Sequence, residues 1–335
     1  MTPLDNIISV VVCTYNQEAT IGRTLESILR QRCSWPVEIV IGEDCSTDAT
    51  PVICREYAAR YPDRIRLFCN TTNKGLLDNY YDCLLQARGK YIADLAGDDE
   101  WCDPCKLERQ LRLLEVHPEV VLVHTDYRLR SEASGRFLTA PFYAYPKGIT
   151  EGQSLTISIL TQTRRPVVHL CTAMYRTDAF RRCYEQHTDL FRNRLYPCED
   201  LQLCALLSHE GYFAYLDTIT LNYSVAPSVS RTDDDARQFD FVARATQLSF
   251  DLQQQLLPQG NDLLRRFYTY RVYALLMHAC RSHRPDLRNE AKKFACQWQT
   301  KNDWRTSAVL FFTSNEMLWH LSLWMRKKLL QLRRH

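Results

Sequence analysis

Glycine is scarce in this sequence, in which only 10 of 335 residues are glycine. No GxGxxG turn follows the first predicted strand, although such a turn brings a backbone close to a dinucleotide pyrophosphate. A GxxxxGK[ST] loop, which wraps the phosphates of a nucleoside triphosphate, is missing as well. These absences argue against a dinucleotide-dependent dehydrogenase and against a kinase or P-loop NTPase. If phosphates bind, another device such as a metal ion must hold them.

Charge of either sign shows no large excess. The chain has 42 Lys and Arg residues against 39 Asp and Glu residues, a formal net charge of +3 and a pI near 8.2. The basic residues are dispersed, whereas proteins that bind nucleic acid concentrate them on one face or stripe. We therefore expect no nucleic-acid partner.

Long apolar runs are also missing. No window reaches the roughly 18 consecutive apolar residues that a transmembrane helix requires. The first residues carry Asp5 where a signal peptide is basic, and no small-residue cleavage site follows them. We therefore expect a cytoplasmic protein.

Cysteine, in contrast, is frequent, but its 14 positions are scattered through strand-like and helix-like stretches. In a chain of this length that pattern favours reduced and mostly buried thiols over a disulfide framework. Cys102 and Cys105 form one CxxC pair, but a zinc site needs about two more ligands at recognisable spacing, and none is evident nearby. We therefore assign no zinc.

Short β-branched runs alternate with helically spaced segments from residue 7 to about residue 129. This alternation predicts an α/β fold with a mostly parallel sheet flanked by helices. Residues 131–165 look like a loop-rich excursion, and long helical patterns follow residue 234. We predict a catalytic domain over residues 1–234 and a helical region over 235–335. Strands are predicted at 7–15, 37–44, 64–70, 90–97, 120–127, 165–177 and 212–225, and helices at 17–32 and 103–116, with a further helix beginning near 197.

Polar side chains stand at the ends of three of these strands. In open α/β sheets ligands bind beyond the carboxyl ends of the strands, so these side chains should meet at one edge. A tyrosine can stack on a base, a threonine can bond its edge, and a carboxylate can accept from a uracil N–H or a ribose hydroxyl. Adjacent aspartates suit Mg²⁺ or Mn²⁺ with open positions for diphosphate oxygens. The residues are Thr14, Tyr15, Glu43, Asp44, Asp98 and Asp99.

Taken in order, these motifs resemble those of the family-two inverting glycosyltransferases of GT-A fold. The stretches that carry the resemblance are SVVVCTYNQEATIGRTLESILRQ, EIVIGEDCSTDAT, KYIADLAGDDEWCDPCKLERQ and CED. The resemblance implies a nucleotide-sugar donor, most often UDP-linked, and an acceptor in cell-surface polysaccharide or lipid-linked glycan assembly. It implies that Thr14, Tyr15, Glu43, Asp44 and Asp98 contact the nucleotide and that Asp99, with Asp98, binds Mn²⁺ or Mg²⁺.

The resemblance also suggests which residues carry the chemistry. In PCEDLQL, Asp200 stands at the start of a predicted helix, and similar sequences use the aspartate of such an ED pair, here Glu199 and Asp200, as the general base for the acceptor hydroxyl. The nearby histidines, His124 and His169, are expected to be core residues rather than ligands.

The sequence departs from the family pattern at two positions. Ala96 stands where many relatives carry an acid, and Ser224 stands where an arginine is usual, so Arg231 is a candidate substitute for the missing phosphate contact. These departures keep a nucleotide-sugar-binding protein without catalysis open as an alternative. A sugar nucleotidyltransferase is a further alternative, although it should carry a glycine- and lysine-rich signature near its N-terminus.

The last predicted helix, residues 314–335, combines a leucine stripe with Trp319, Trp324 and a basic end. A basic amphipathic helix with tryptophan can lie in a membrane interface, and it can equally pack on its own domain. We expect either packing or a peripheral contact with the inner face of the membrane, which would suit a lipid-linked acceptor.

Overall fold

A computed structural model describes residues 4–138, 148–162, 167–225, 234–300, 303–312 and 317–318. Its contacts divide the chain into two compact units, Met1–Ala226 and Pro227–His335. The sequence predicted the boundary between residues 234 and 235, whereas the contacts place it between Ala226 and Pro227. Residues 226–233 lie outside the described part of the chain.

The first unit is built on one ten-stranded sheet. Its strands are rich in Val, Ile and Tyr, residues that pack well on a pleated surface. The strands are β1 (Leu4–Thr14), β2 (Val37–Glu43), β3 (Ile65–Cys69), β4 (Gly89–Asp94), β5 (Glu100–Trp101), β6 (Val120–Ser131), β7 (Phe137–Leu138), β8 (Gly148–Glu151), β9 (Met174–Arg176) and β10 (Tyr212–Val225).

The sheet is parallel in its first half and mixed in its second. Along the order β3-β2-β1-β4-β9-β6-β10-β5, the pairs among β3, β2, β1 and β4 are all parallel. β9 pairs antiparallel with β4 and β6, while β6 and β10 are parallel. The α/β class with flanking helices is therefore confirmed, and the carboxyl ends of β1, β2 and β4 lie at one edge.

Helices cover this sheet with apolar faces. In α1, Ile21, Leu25 and Ile28 recur at the helical period and are fully buried in the same core cluster as Val10 and Val12 of β1. The helices of the first unit are α1 (Ile21–Leu29), α2 (Thr50–Arg60), α3 (Leu76–Gln86), α4 (Lys106–Val116), α5 (Gly152–Thr161), α6 (Thr177–Gln186), α7 (Thr188–Phe191) and α8 (Asp200–Leu207).

Two sequence predictions in this unit are wrong. The excursion at 131–165 contains helix α5 and two short strands, and residues 139–147 and 163–166 lie outside the described part. The strand predicted at 165–177 is confined to β9, because the backbone N–H and the hydroxyl of Thr172 both donate to His169 O, at 2.8 and 2.7 Å. These bonds close a 3₁₀ turn over Leu170–Thr172.

The second unit is helical, as the sequence predicted. Two of its helices begin at side-chain caps: Asp234 accepts from two backbone N–H groups at the start of α9, and Asn261 accepts from Leu263 N before α10. Among the described residues, no helix is both long and apolar enough to cross a membrane. The helices are α9 (Asp235–Leu256), α10 (Asp262–Arg281), α11 (Pro285–Gln297) and α12 (Trp304–Phe312).

Candidate active site

The sheet register brings the predicted site residues to one edge. β1 pairs in parallel with β2, placing Thr14 opposite Glu43, and it pairs in parallel with β4, placing Val11 opposite Asp94. The backbone N–H of Asp44 donates to the carbonyl of Thr14 at 3.1 Å, which joins the two strand ends directly. The expected convergence of the strand ends is therefore present.

A cavity of about 340 Å³ opens at this edge. It is lined by residues from the ends of β1 and β4, from the segment before α3, and from the start of α8. Four predicted residues, Thr14, Tyr15, Asp44 and Glu199, lie on its wall, whereas Glu43, Asp98, Asp99 and Asp200 do not.

The cavity wall near Tyr15 is suited to a flat ring. The Tyr15 side chain is 46% exposed, and it follows directly on Thr14, which is buried and donates from its hydroxyl to Gln17 Oε1 at 2.8 Å. An exposed aromatic ring beside fixed polar groups can stack on a nucleobase.

Asp44 contacts the cavity and also orders the loop before α3. Its Oδ1 accepts from Asn70 Nδ2 and from Lys74 N, and its Oδ2 accepts from Gly75 N, each at 2.9 Å. Gly75 has a φ of 85°, a conformation that favours glycine. Asp44 therefore fixes this wall of the cavity.

Glu43 is buried behind the wall. Its Oε1 accepts from Ser46 N at 2.7 Å, which closes the turn after β2. This contact gives Glu43 a structural role in shaping the loop, and a nucleotide contact by Glu43 stays a prediction.

The Asp98–Asp99 corner is held from α1 and β10. The Thr24 hydroxyl donates to Asp99 O at 2.7 Å and lies 3.0 Å from Gly97 O, which also accepts from the Thr20 hydroxyl at 2.9 Å. Arg23 Nη2 donates to Asp98 O at 2.9 Å and pairs with Glu132 at 3.0 Å. These bonds fix the backbone of the corner.

Ser224 completes this corner. Its backbone N–H donates to Asp99 Oδ1 at 2.8 Å, and its hydroxyl donates to Glu132 Oε1 at 2.8 Å. Arg23 Nη2 also donates to the Ser224 hydroxyl at 3.2 Å, so an arginine reaches this position from α1. Arg231, the candidate substitute named from the sequence, lies outside the described residues.

The residues at this corner fit a divalent cation. Asp99 is fully buried, and its Oδ2 has no hydrogen-bond partner among the described residues, so one carboxylate oxygen is unsatisfied. Burial and the neighbouring Asp98 raise the pKa of Asp99 well above its usual value, a penalty that a bound cation would relieve. No group of three or more His, Cys, Asp or Glu residues in the described ranges could hold a metal. The two aspartates would therefore bind a cation together with oxygen atoms of the substrate, as Mg²⁺ sites commonly do.

Glu199 and Asp200 lie at the start of α8, as the sequence predicted. The Tyr81 hydroxyl donates to Glu199 O at 2.6 Å and fixes the backbone there. Burial, followed by the charge of Asp200, raises the pKa of Glu199, and burial raises the pKa of Asp200. A carboxyl with a raised pKa can take a proton near neutral pH, which is the property of a general base.

The sequence did not point to two buried ionisable residues, Asp94 and Lys106. Asp94, the last residue of β4, lines the cavity, and burial raises its pKa to about 7. Lys106, the first residue of α4, is fully buried, and burial lowers its pKa to about 7. The one sequence feature that could have indicated Asp94 is its position as the single carboxylate inside the apolar run YIADLAG.

The histidines and cysteines behave as expected of core residues. Burial lowers the pKa of His124 to about 3 and that of His169 to about 4, so both rings are neutral. All fourteen cysteines are free thiols, and twelve of them are buried or half-buried.

Comparison with known proteins agrees with this fold. The structure is similar to that of the TarS fragment 1–349 of S. aureus in complex with UDP, with a TM-score of 0.55 and 15% identity over 92% of this chain and 91% of that one. The mannosyltransferase PcManGT of Pyrobaculum calidifontis, in complex with GDP-Man and Mn²⁺, gives a TM-score of 0.52 at 17% identity, covering 92% and 79%. The fold is that of the GT-A glycosyltransferases.

The family follows from the sequence match. The model of glycosyl transferase family 2 matches residues 9–183, just over half of the chain, and the protein belongs to that family. An uncharacterized protein of Mycobacterium tuberculosis is 47% identical over 121 residues, which span 36% of this chain and 35% of that protein. The chain thus covers about a third of that relative's length. The Escherichia coli UDP-Glc:alpha-D-GlcNAc-diphosphoundecaprenol beta-1,3-glucosyltransferase WfgD is 29% identical over 146 residues, 43% of this chain and 55% of that enzyme.

Proposed function

We propose that this protein transfers a sugar from a UDP-sugar to a hydroxyl of a glycan or lipid-linked acceptor, with inversion at the anomeric carbon. One observation carries the proposal. A single cavity joins an exposed aromatic ring at Tyr15 to Glu199, the neighbour of the proposed base Asp200, and Asp44 lies on the same wall. Burial raises the pKa of both carboxyls of this pair. The cavity therefore offers a nucleotide-binding end and a proton-accepting end.

The substrate classes are taken from similar proteins. WfgD is named for transfer from UDP-Glc to a sugar on diphosphoundecaprenol, and the TarS structure contains UDP. These names support a UDP-linked donor and a lipid-linked acceptor in polysaccharide assembly. The donor sugar and the linkage differ among such enzymes, so we extend only the chemical classes to this chain.

Several side chains would act on the substrates. Tyr15 stacks on the base, Thr14 and Asp44 bond its edge or the ribose, and Asp98 contacts the nucleotide. Asp200, with Glu199 beside it, takes the proton from the acceptor hydroxyl as that oxygen attacks the anomeric carbon. Inversion follows, because one displacement from the face opposite the leaving group reverses the configuration.

Asp99, assisted by Asp98, would hold Mn²⁺ or Mg²⁺ through its unsatisfied oxygen. When bound, the cation supplies positive charge that stabilises the departing diphosphate. The Mn²⁺ present in the PcManGT structure supports this assignment.

We further propose that the enzyme is cytoplasmic and that its first unit is catalytic. We propose that its C-terminal segment, residues 314–335, lies at the inner face of the membrane. The predicted amphipathic helix at 314–335 motivates the membrane contact, and apart from residues 317–318 it lies outside the described residues. A lipid-linked acceptor would be presented at that surface.

A thermal-shift panel tests the donor assignment. The melting temperature is measured with UDP-, GDP- and CMP-sugars, with and without Mn²⁺, because a ligand that binds only the folded state raises it. UDP-sugars should stabilise the protein, and Tyr15→Ala should weaken UDP binding by about 10- to 100-fold, the range for a lost base stack. Stabilisation by GDP- or CMP-sugars alone contradicts the UDP assignment, and stabilisation by none contradicts the function.

A further inference from the structure

Asp94 lies deeper in the cavity than the predicted nucleotide contacts. Its Cα is paired with that of Val11, whereas Tyr15 follows the end of β1 four residues later. At about 3.3 Å per residue, the two levels are separated by about 13 Å along the strand direction. That separation is suited to a ligand whose base lies at the rim and whose sugar lies below it.

The Asp94 carboxyl is buried but incompletely bonded. Its side chain belongs to a residue that is 4% exposed, and it lies on the cavity wall. The Tyr80 hydroxyl of α3 donates to Oδ1 at 3.0 Å, whereas Oδ2 has no hydrogen-bond partner among the described residues. A buried carboxylate oxygen without a donor is costly, and a ligand hydroxyl would remove that cost.

The other carboxyls on the cavity wall already have other partners or roles. Asp44 accepts three hydrogen bonds from the loop before α3, so its oxygens are already engaged. Glu199 adjoins Asp200 and belongs to the proposed proton-accepting pair. Asp94 is therefore the carboxyl on this wall that combines deep burial with a vacant acceptor.

The electrostatic surroundings allow Asp94 to act as an acceptor. Burial raises its pKa to about 7, and the hydroxyls of Tyr175 and Tyr80 and the charge of Lys106 oppose that rise. The buried Tyr175 hydroxyl lies close enough to Asp94 to influence its pKa, but it makes no hydrogen bond of ordinary geometry among the described residues, so Oδ2 stays open to a ligand. A carboxyl that titrates near neutral pH is available as a carboxylate under ordinary assay conditions.

We propose that Asp94 is a specificity-determining residue that accepts a hydrogen bond from a hydroxyl of the donor's sugar. This assignment rests on the proposed function and adds to it the residue that distinguishes one UDP-sugar from another. A site that bonds a substrate hydroxyl rejects analogues lacking it, because its own polar group is then left unpaired.

Binding of UDP, UDP-glucose, UDP-galactose and UDP-N-acetylglucosamine by calorimetry tests the assignment. The wild-type protein should prefer one sugar. Asp94→Asn should keep the affinity for UDP and weaken the preferred UDP-sugar about tenfold or more, the range for a hydrogen bond to a charged group. Tyr175→Phe is the matched control, because it removes only the neighbouring hydroxyl, and it should keep the wild-type preference.

The outcomes separate this assignment from the proposed function. If wild-type protein binds UDP and Asp94→Asn retains the wild-type sugar preference, the assignment alone is overturned. Equal losses for UDP and UDP-sugar, or the same loss in Tyr175→Phe, show a structural role and overturn it too. Absence of UDP binding by the wild type overturns the proposed function and this assignment with it. Should Asp94→Asn not fold, deoxy analogues of the preferred donor decide on wild-type protein: loss of one hydroxyl should cost about tenfold, and equal affinities contradict the proposal.

Discussion

Lys106 offers a quantitative test of the buried electrostatics beneath the site. Its side chain is fully buried, Nζ donates to Gln110 Oε1 at 2.8 Å, and Nζ lies 4.2 Å from the ring centroid of Trp101. Burial lowers the pKa of Lys106 to about 7, although the neighbouring Cys171 and Asp94 oppose this change. In the unfolded chain a lysine titrates near about 10.4.

The sign of the pH dependence follows from these two values. At pH values between these two pKa values, the unfolded chain binds about one more proton than the folded protein. The folding stability due to Lys106 therefore rises with pH in this range. The slope is about 1.4 kcal/mol per pH unit, which gives about 2–3 kcal/mol between about pH 7.5 and about pH 9.5. This contribution is lost as the pH falls toward about 7.

Urea unfolding of wild type and of Lys106→Met over this pH range measures the effect. The methionine variant carries no ionisable group at this position and changes packing by a constant amount, so the free-energy difference between the two proteins reports the titration of Lys106 and its coupling to the Asp94 carboxyl. The wild type should gain about 2–3 kcal/mol relative to the variant as the pH rises. A difference that does not change with pH, or one of opposite sign, refutes this account of Lys106.

Three further predictions concern the site and the tail. Asp200→Asn should lower turnover by about two or more orders of magnitude with donor affinity nearly unchanged, and a normal rate in Asp200→Asn with a lost rate in Glu199→Gln would reassign the base. Thr24→Val should lower the free energy of unfolding by about 1–3 kcal/mol in denaturant titrations, since it leaves Asp99 O without its buried donor while Gly97 O keeps the Thr20 hydroxyl, and an unchanged midpoint would contradict this. Deleting residues 314–335 should abolish salt-sensitive sedimentation with anionic liposomes while donor hydrolysis persists, because each Lys or Arg near such a surface contributes about 1 kcal/mol. Equal sedimentation of both forms, or of neither, excludes the membrane role.

Much of the sheet was accessible from the sequence because its patterns are local. β10 was predicted at 212–225 and is found there, since its apolar residues alternate over a long run. The helix predicted over 17–32 is confined to Ile21–Leu29, and residues 17–20 form a turn in which Gln17 O accepts from Thr20 N and Ile21 N.

Other elements depend on contacts that no local pattern reveals. Helix α5 has the sequence GQSLTISILT, whose β-branched and hydroxyl residues favour strands and loops, and tertiary packing overrides that preference. Its first residue packs against backbone: a Cβ on Gly152 would lie 2.3 Å from Ser208 O. Ser208 is distant from Gly152 in the sequence, so no local pattern reveals this contact.

The candidate site was predictable in part for the same reason. Strand-end residues such as Thr14, Tyr15 and Asp44 were identified because parallel strands direct their ends to one edge. Asp94 was not, because its importance depends on the Tyr80 hydroxyl and on a vacant oxygen within a folded cavity. The link from Ser224 to Asp99 also joins residues distant in sequence.

The central claim is metal-assisted transfer from a UDP-sugar at the edge formed by β1, β2 and β4. Release of UDP from the preferred UDP-sugar, measured with Mn²⁺, with Mg²⁺ and with excess chelator, tests it most directly. We predict turnover with a divalent cation, none with chelator, and none from Asp99→Ala, a variant that should still bind UDP and unfold cooperatively. Full turnover by Asp99→Ala in excess chelator would contradict the account.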